Sequence, residues 1–176
     1  QLIISSWHSY RTKPWKLYGP KGTKKFVSRI MSAWQDERMQ RIKYENRSST
    51  KAFNIIVREF SNSGTIKIKD LKIQYFEVDH KPVPFAYGFC FLKNNKKLTI
   101  SGDTRPCENI MKFGLFSDVL LHEVFIEDEI KETNKMRTLK TLHNVKAYHT
   151  PSSIVGKIAS LTRSKKLVLT HLVPTK

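Results

Sequence analysis

An apolar, β-branched run, Lys97-Leu98-Thr99-Ile100, stops at Ser101-Gly102-Asp103-Thr104, and no other stretch constrains the chain as much. It reads as a buried strand that delivers one carboxylate to its own C-terminal edge, where open sheets build their sites. Taken alone, Gly-Asp after a strand is also the signature of a turn in which Asp caps its own backbone. Repetition adds the weight. Val78-Asp79-His80 ends another strand-like run before Pro82 and Pro84, which cannot continue a ladder. The run from Asp118 ends in His122-Glu123, and the run from Lys166 ends in His171. His149 precedes Thr150-Pro151, a helix-start pair with Thr as N-cap and Pro at the first helical position. Backbone N–H groups at such a helix start favour anions nearby. Imidazole and carboxylate thus recur where a sheet edge meets loops. His80, Asp103 and His171 suit a borderline metal such as zinc, which takes N and O ligands, and a bridging carboxylate can hold two ions.

The surrounding pattern is that of an α/β (α+β) chain. A short strand over residues 15–18 leads into the Gly19-Pro20-Lys21-Gly22 turn. From Thr23, as N-cap, Phe26, Ile30 and Trp34 recur at helical spacing up to about Met39, which predicts an amphipathic helix packed on a sheet with that stripe in the core. Residues 46–50 form a polar linker, and residues 54–60 resume as a strand. Ile66 and Ile68, then Leu71, Ile73 and Tyr75, alternate with Lys67, Lys69, Lys72 and Gln74, predicting two short strands of a meander. Residues 85–92 and 97–100 flank Asn94-Asn95, a hairpin pattern with left-handed turn residues. Residues 109–113 read as a short helix and residues 130–142 as a basic one, and Ile154, Ile158 and Leu161 give a last buried helical stripe. The acidic run Glu127-Asp128-Glu129, with Glu132, reads as a solvated helix face or lid rather than a metal site.

Length and composition bound these readings. With 176 residues and 39% hydrophobic content, the chain is sized for a single domain, residues 1–176, with a real core. No apolar run approaches the roughly 20 residues of a membrane helix, so no membrane partner is expected. Cys90 and Cys107 have no metal-type spacing and read as free thiols of a reducing, cytoplasmic setting. The net charge of +17, from 32 Lys and Arg against 15 Asp and Glu, favours an anionic substrate or a polyanion. Yet the lysines are scattered, and no ladder of interleaved Arg and aromatic residues marks a single-strand nucleic-acid track in the sequence.

The ordered motifs Val78-Asp79-His80, Ala86-Tyr87-Gly88-Phe89, Ile100-Ser101-Gly102-Asp103-Thr104, Leu120-Leu121-His122-Glu123, Tyr148-His149-Thr150 and Leu169-Thr170-His171-Leu172-Val173-Pro174 resemble the C-terminal motifs of the metallo-β-lactamase superfamily. The nearest branch holds ribonuclease Z and arylsulfatase-like hydrolases, and Leu17-Tyr18-Gly19-Pro20-Lys21-Gly22-Thr23 resembles the strand-turn-helix after its first metal motif. The resemblance implies part of an αββα sandwich without its N-terminal strands. It implies two zinc ions, with His80 on one, Asp103 bridging both and His171 on the second. It implies His149 as the catalytic histidine and Glu123 as the carboxylate that orients it, in hydrolysis of a phosphate or sulfate ester.

Two departures shape the functional expectation. The family's first motif, His-x-His-x-Asp-His, is absent, and His8 in Trp7-His8-Ser9 does not replace it. The expectation is a C-terminal portion of a longer protein, with a degenerate, inactive homologue as the alternative; alone, such a chain binds metal poorly. Ribonuclease Z enzymes also carry a long arm, whereas Leu92 and Leu98 are joined by a tight turn. A small anionic ester is therefore the first expected substrate, in an arylsulfatase-like hydrolase that leaves room for a homodimer. Transfer-RNA 3′ processing is the alternative, and a non-enzymatic basic nucleic-acid-binding domain the third reading.

Overall fold

The computed structural model describes residues 2–127 and 138–173. Asp128, Glu129 and Glu132, most of the helix expected over residues 130–142, and Pro174 lie outside the described residues. The chain divides into two compact units, Gln1–Ser61 and Asn62–Lys176.

In the first unit, helix α1 (Leu2–His8) precedes strand β1 (Trp15–Pro20), helices α2 (Thr23–Ala33) and α3 (Gln35–Glu45), a short 3₁₀ turn and strand β2 (Ile55–Phe60). β1 and β2 pair in parallel, which requires a crossover of the length that the two helices supply. The core of the unit is Trp7, Ala52 and Phe53, with Ile3, Ile4, Met31 and Ile42 packed against it. Three expectations fail here. Gly22, in the left-handed region at φ 101°, is the N-cap of α2. The cap's carboxylate comes from Glu59, which accepts from Gly22 N at 2.9 Å and Lys24 N at 2.7 Å, while the Thr23 hydroxyl donates to Pro20 O. Phe26, Ile30 and Trp34 are exposed rather than buried, Phe26 at 64%. Met31, about 100° around the helix from Ile30, is the residue that reaches the core. The helix also ends sooner than its periodicity suggests. It stops at Ala33, and α3 begins with Asp36 and Glu37 in its first turn, where the helix dipole favours acidic side chains.

The second unit is a six-stranded sheet in the order β3 (Gly64–Ile68), β4 (Leu71–Glu77), β5 (Tyr87–Lys93), β6 (Lys96–Ile100), β7 (Val119–Phe125), β8 (Leu167–Val173). The first four strands form the expected antiparallel meander. Asn94 and Asn95 turn the β5–β6 hairpin at φ 49° and 57°, the left-handed pair that a two-residue hairpin demands. β6, β7 and β8 run parallel. Helix α4 (Glu108–Gly114) crosses from β6 to β7, and helices α5 (Leu139–Lys146) and α6 (Ser152–Leu161) lie between β7 and β8. Phe76, Cys90, Ile110, Leu120 and Ile158 form the core, and Phe76 stacks on Phe113 at 4.3 Å. Gly88 is dictated by this packing, because a Cβ there would lie 2.5 Å from the Phe76 ring.

The helix expected to begin at Thr150 begins one residue later, with Pro151 as its N-cap. The Thr150 hydroxyl is diverted to the backbone of another loop, donating to Thr104 O at 2.7 Å. Val155 and Ile158 are the buried residues of α6, and Leu161 is exposed. Glu127 is also not the solvated acid expected. It takes Lys146 Nζ at 2.6 Å and both the backbone N–H and the hydroxyl of Ser153, so it occupies the start of α6. The Lys146 ammonium, and then Ser153, hold its carboxyl down at about 2. The structure therefore fills with a side chain the helix terminus that the sequence offered to an external anion. Among the described residues no helix is long and apolar enough to cross a membrane.

Candidate functional site

The site lies at the C-terminal edge of β6, β7 and β8. After β6, Gly102 takes φ +64° with Tyr87 O 2.4 Å from where a Cβ would sit, so a side chain there is excluded and the chain turns out sharply to Asp103. His80 follows β4, and the loop that carries it is tied to the Asp103 loop. Arg105 N donates to Asp79 O at 2.9 Å, and the Arg105 guanidinium pairs with the Asp79 carboxylate at 2.7 Å. That guanidinium holds the Asp79 carboxyl below the usual carboxylate range.

Glu123 is the pivot of the edge. It is 1% exposed, on the face of β7 opposite His122 and Leu120. Its Oε1 accepts from Thr104 N at 3.1 Å and Thr150 N at 3.0 Å, joining the loop after β6 to the loop before α6. Its Oε2 lies 3.1 Å from His149 Nδ1, close in distance but not aligned as a hydrogen bond. Buried polar groups need such partners, so Thr104 and Thr150 fix the height at which their loops leave the sheet.

The three histidines form a row. The His80 and His149 ring centroids are 5.0 Å apart, and those of His149 and His171 are 5.5 Å apart. His80 Nδ1 lies 2.9 Å from Tyr148 O; a carbonyl can only accept, so Nδ1 is the donor of this contact, leaving Nε2 as the ring nitrogen available to a ligand. His171 Nε2 lies 3.4 Å from Asp103 Oδ2, both groups about half exposed. His171 is aimed by a bulge. Glu123 pairs with Thr170 and Val124 with Leu172, leaving His171 unpaired at φ 45°. Such a bulge bends the strand and redirects a side chain.

All five residues singled out in the sequence, His80, Asp103, Glu123, His149 and His171, therefore meet at one edge. His122 does not join them. It is fully buried, with Nδ1 2.7 Å from Glu123 O, and burial pushes its pKa down, so it is a neutral core histidine. The sequence reading missed Thr104, Thr150, Arg105 and Tyr148, which hold the others in place; Gly-Asp-Thr-Arg and Tyr-His-Thr were the local signals, each adjacent to a residue already singled out. Among the described residues, no three His, Cys, Asp or Glu side chains converge closely enough to hold a metal ion. The donor types are nevertheless those that zinc takes, since the imidazoles of His80 and His171 and the Asp103 carboxylate share one rim.

No family model matches the chain. It is 24% identical over 176 residues to a protein described as putative ribonuclease Z from Mycobacterium tuberculosis, covering 98% of this chain and 76% of that one. It is 25% identical to the ribonuclease Z of Mycolicibacterium gilvum, covering 99% and 60%. Human tRNase Z, short form, superimposes with a TM-score of 0.66 at 21% identity, over 93% of this chain and 63% of that one. A metallo-β-lactamase fold protein from Bacillus subtilis gives 0.61 at 16%, over 93% and 54%. The chain therefore has the metallo-β-lactamase fold. The sequence relatives found bear the name ribonuclease Z. The chain spans between 60% and 76% of the length of these curated relatives.

Proposed function

We propose that this chain contributes the C-terminal part of a zinc-dependent phosphodiesterase site that cleaves RNA in the manner of ribonuclease Z. The carrying observation is the single edge that gathers His80, Asp103, Glu123, His149 and His171 in a chain whose sequence relatives bear that name. His80 would hold one zinc ion, Asp103 would bridge two and His171 would hold the second. Zinc, when bound, lowers the pKa of a water molecule and offsets charge developing on the phosphoryl oxygens. The chain's own residues supply orientation and proton handling. His149, with Nδ1 against Glu123, is set to give a proton from Nε2 to the leaving oxygen, and Glu123 stabilises the protonated ring and fixes its direction. Thr104 and Thr150 fix Glu123 in turn. The remaining ligands and the acid that would orient the water have no counterpart among these motifs.

The small-ester, arylsulfatase-like reading rested on the tight Asn94-Asn95 turn. The similarity to ribonuclease Z outweighs it, because a missing arm removes one RNA contact without supplying a small-ester pocket. Full-length, zinc-loaded protein assayed on a precursor transfer RNA and on an aryl phosphodiester separates the readings. Cleavage of the RNA at its 3′ junction is expected. Turnover of the aryl ester with intact RNA would restore the small-ester reading, and zinc binding without turnover of either would mark an inactive homologue.

A further inference from the structure

The opposite edge of the same sheet carries a different constellation. β7 is entered through Leu115, Phe116, Ser117 and Asp118, and β8 through Arg163, Ser164, Lys165 and Lys166. The two entry loops are pinned together, because Phe116 N donates to Thr162 O at 2.7 Å and Lys165 N to Ser117 O at 2.8 Å. Residues 47 apart are thereby made neighbours, and the Arg163 guanidinium lies over the Phe116 ring, 5.7 Å from its centroid. Phe116 is 61% exposed. Both residues adopt left-handed backbone, Phe116 at φ 56° and Arg163 at φ 50°, a conformation that costs free energy for any bulky side chain. No core burial compensates, since the ring faces outward.

Around this pair the charge is one-sided. Lys96 and Lys97 of β6 and Lys165 of the loop before β8 lie at the same strand entries, with Lys97 Nζ donating to Leu115 O, next to Phe116, at 2.6 Å. Asp118 lies among them, and Lys165 Nζ at 2.8 Å and Lys96 Nζ at 3.8 Å neutralise it. The ammonium groups of Lys96 and Lys165 remain largely in water, their side chains 77% and 72% exposed. An exposed aromatic with a guanidinium over its ring, beside solvent-exposed ammonium groups that outnumber the one carboxylate among them, has the chemistry of a platform for unpaired bases. The ring and guanidinium offer flat faces to a base, and the lysines offer charge to the phosphates.

We infer that the Phe116–Arg163 pair and its flanking lysines form a second RNA-contact surface, which holds a single-stranded segment at the sheet edge away from the His80–Asp103–His171 edge. The inference rests on the reading of RNA as substrate. β6 runs between the two edges, and its rise from Lys96 to Ile100 is roughly 13 Å, so the platform holds a stretch of strand away from the scissile bond.

The test is equilibrium binding of a fluorescein-labelled oligouridylate to the 176-residue chain in EDTA, by anisotropy, across a salt series. Without zinc or cleavage, it stays informative even if no RNA-cleaving activity is found. The double variant Phe116→Ser with Arg163→Ser is expected to bind about tenfold more weakly, within the range for losing base stacking. Lys96→Glu is expected to weaken binding and to lower the salt slope by about 1. Unchanged affinity in the double variant, with an unchanged circular dichroism spectrum, overturns the inference. If the double variant fails to fold, Lys96→Glu decides, and an unchanged salt slope overturns it. Duplex RNA bound as tightly as the single strand also overturns it. So does a larger loss on vesicles of phosphatidylserine and phosphatidylcholine than on RNA, which would assign the patch to an anionic membrane surface.

Discussion

The two edges of one sheet are held by different physics. At the C-terminal edge, Glu123, His149, Thr104 and Thr150 are buried to 5% exposure or less, and each loop is fixed by hydrogen bonds from another. At the N-terminal edge, Lys96, Lys165 and Asp118 meet near the surface, through pairs that salt and solvent screen. Buried networks fix a side chain to fractions of an ångström because a misplaced partner leaves an unsatisfied group. Surface charges attract without fixing. An edge that does chemistry needs the first kind of support, and an edge that only holds a flexible polyanion is served by the second.

Substitutions on the two edges should therefore behave differently, and the largest effect belongs to Asp103. In the full-length protein, Asp103→Ala is expected to abolish zinc binding while leaving thermal unfolding almost unchanged, because the side chain is 44% exposed and pairs with the half-exposed His171. Retention of full zinc stoichiometry would refute the bridging role. Glu123→Ala comes next. It strands two buried N–H groups, of Thr104 and Thr150, and should cost about 3 kcal/mol in denaturant unfolding, at about 1–3 kcal/mol for each lost partner. Glu123→Gln keeps an acceptor and should recover most of that stability. If alanine and glutamine cost the same, Glu123 is not the pivot described. Thr150→Val preserves shape and removes only the donor to Thr104 O, so a loss of about 1 kcal/mol is expected.

This contrast also explains what was legible in the sequence. Asp103 was legible only through repetition, because Gly-Asp after a strand is also a plain turn signature and the histidines at other strand ends singled it out; the turn itself is there, with Gly102 at φ +64°. His80 was legible as a residue just past a strand, whereas His171, expected to end its strand, lies within β8, which continues to Val173. The bulge that aims His171 was not legible, since it depends on the register of β7 against β8 rather than on local alternation. Thr150 was misread as a helix cap because the competing acceptor, Thr104 O, lies 46 residues away. The Phe26–Ile30–Trp34 stripe failed for a related reason. Periodicity shows that a helix has an apolar face, whereas the residue that meets the core, here Met31, is settled by what packs there. The Phe116–Arg163 pair was invisible to a search for interleaved Arg and aromatic residues because a loop contact, not sequence spacing, brings the two together.

The smallest effects, and the finest test of the contrast, come from two acids whose pKa values both lie low. Glu127 is held at about 2, chiefly by Lys146 and then Ser153, and Asp118 is lowered chiefly by Lys165 and then by the Lys97 backbone N–H. For both, the folded pKa lies below the unfolded one, so the stabilisation is fully present above the ordinary carboxylate range of about 4. It is lost as pH falls through the folded value. Glu127→Gln and Asp118→Asn should each lower the urea midpoint at pH 7, and each difference from the parent should shrink toward pH 2. Salt should separate them. At 1 M salt the Asp118→Asn difference should largely vanish, because Lys165 is 72% exposed and its attraction is screened. The Glu127→Gln difference should persist, because the backbone N–H and hydroxyl of Ser153 still need their acceptor at the start of α6. Equal salt sensitivity in the two variants would mean that the edges are not held differently after all.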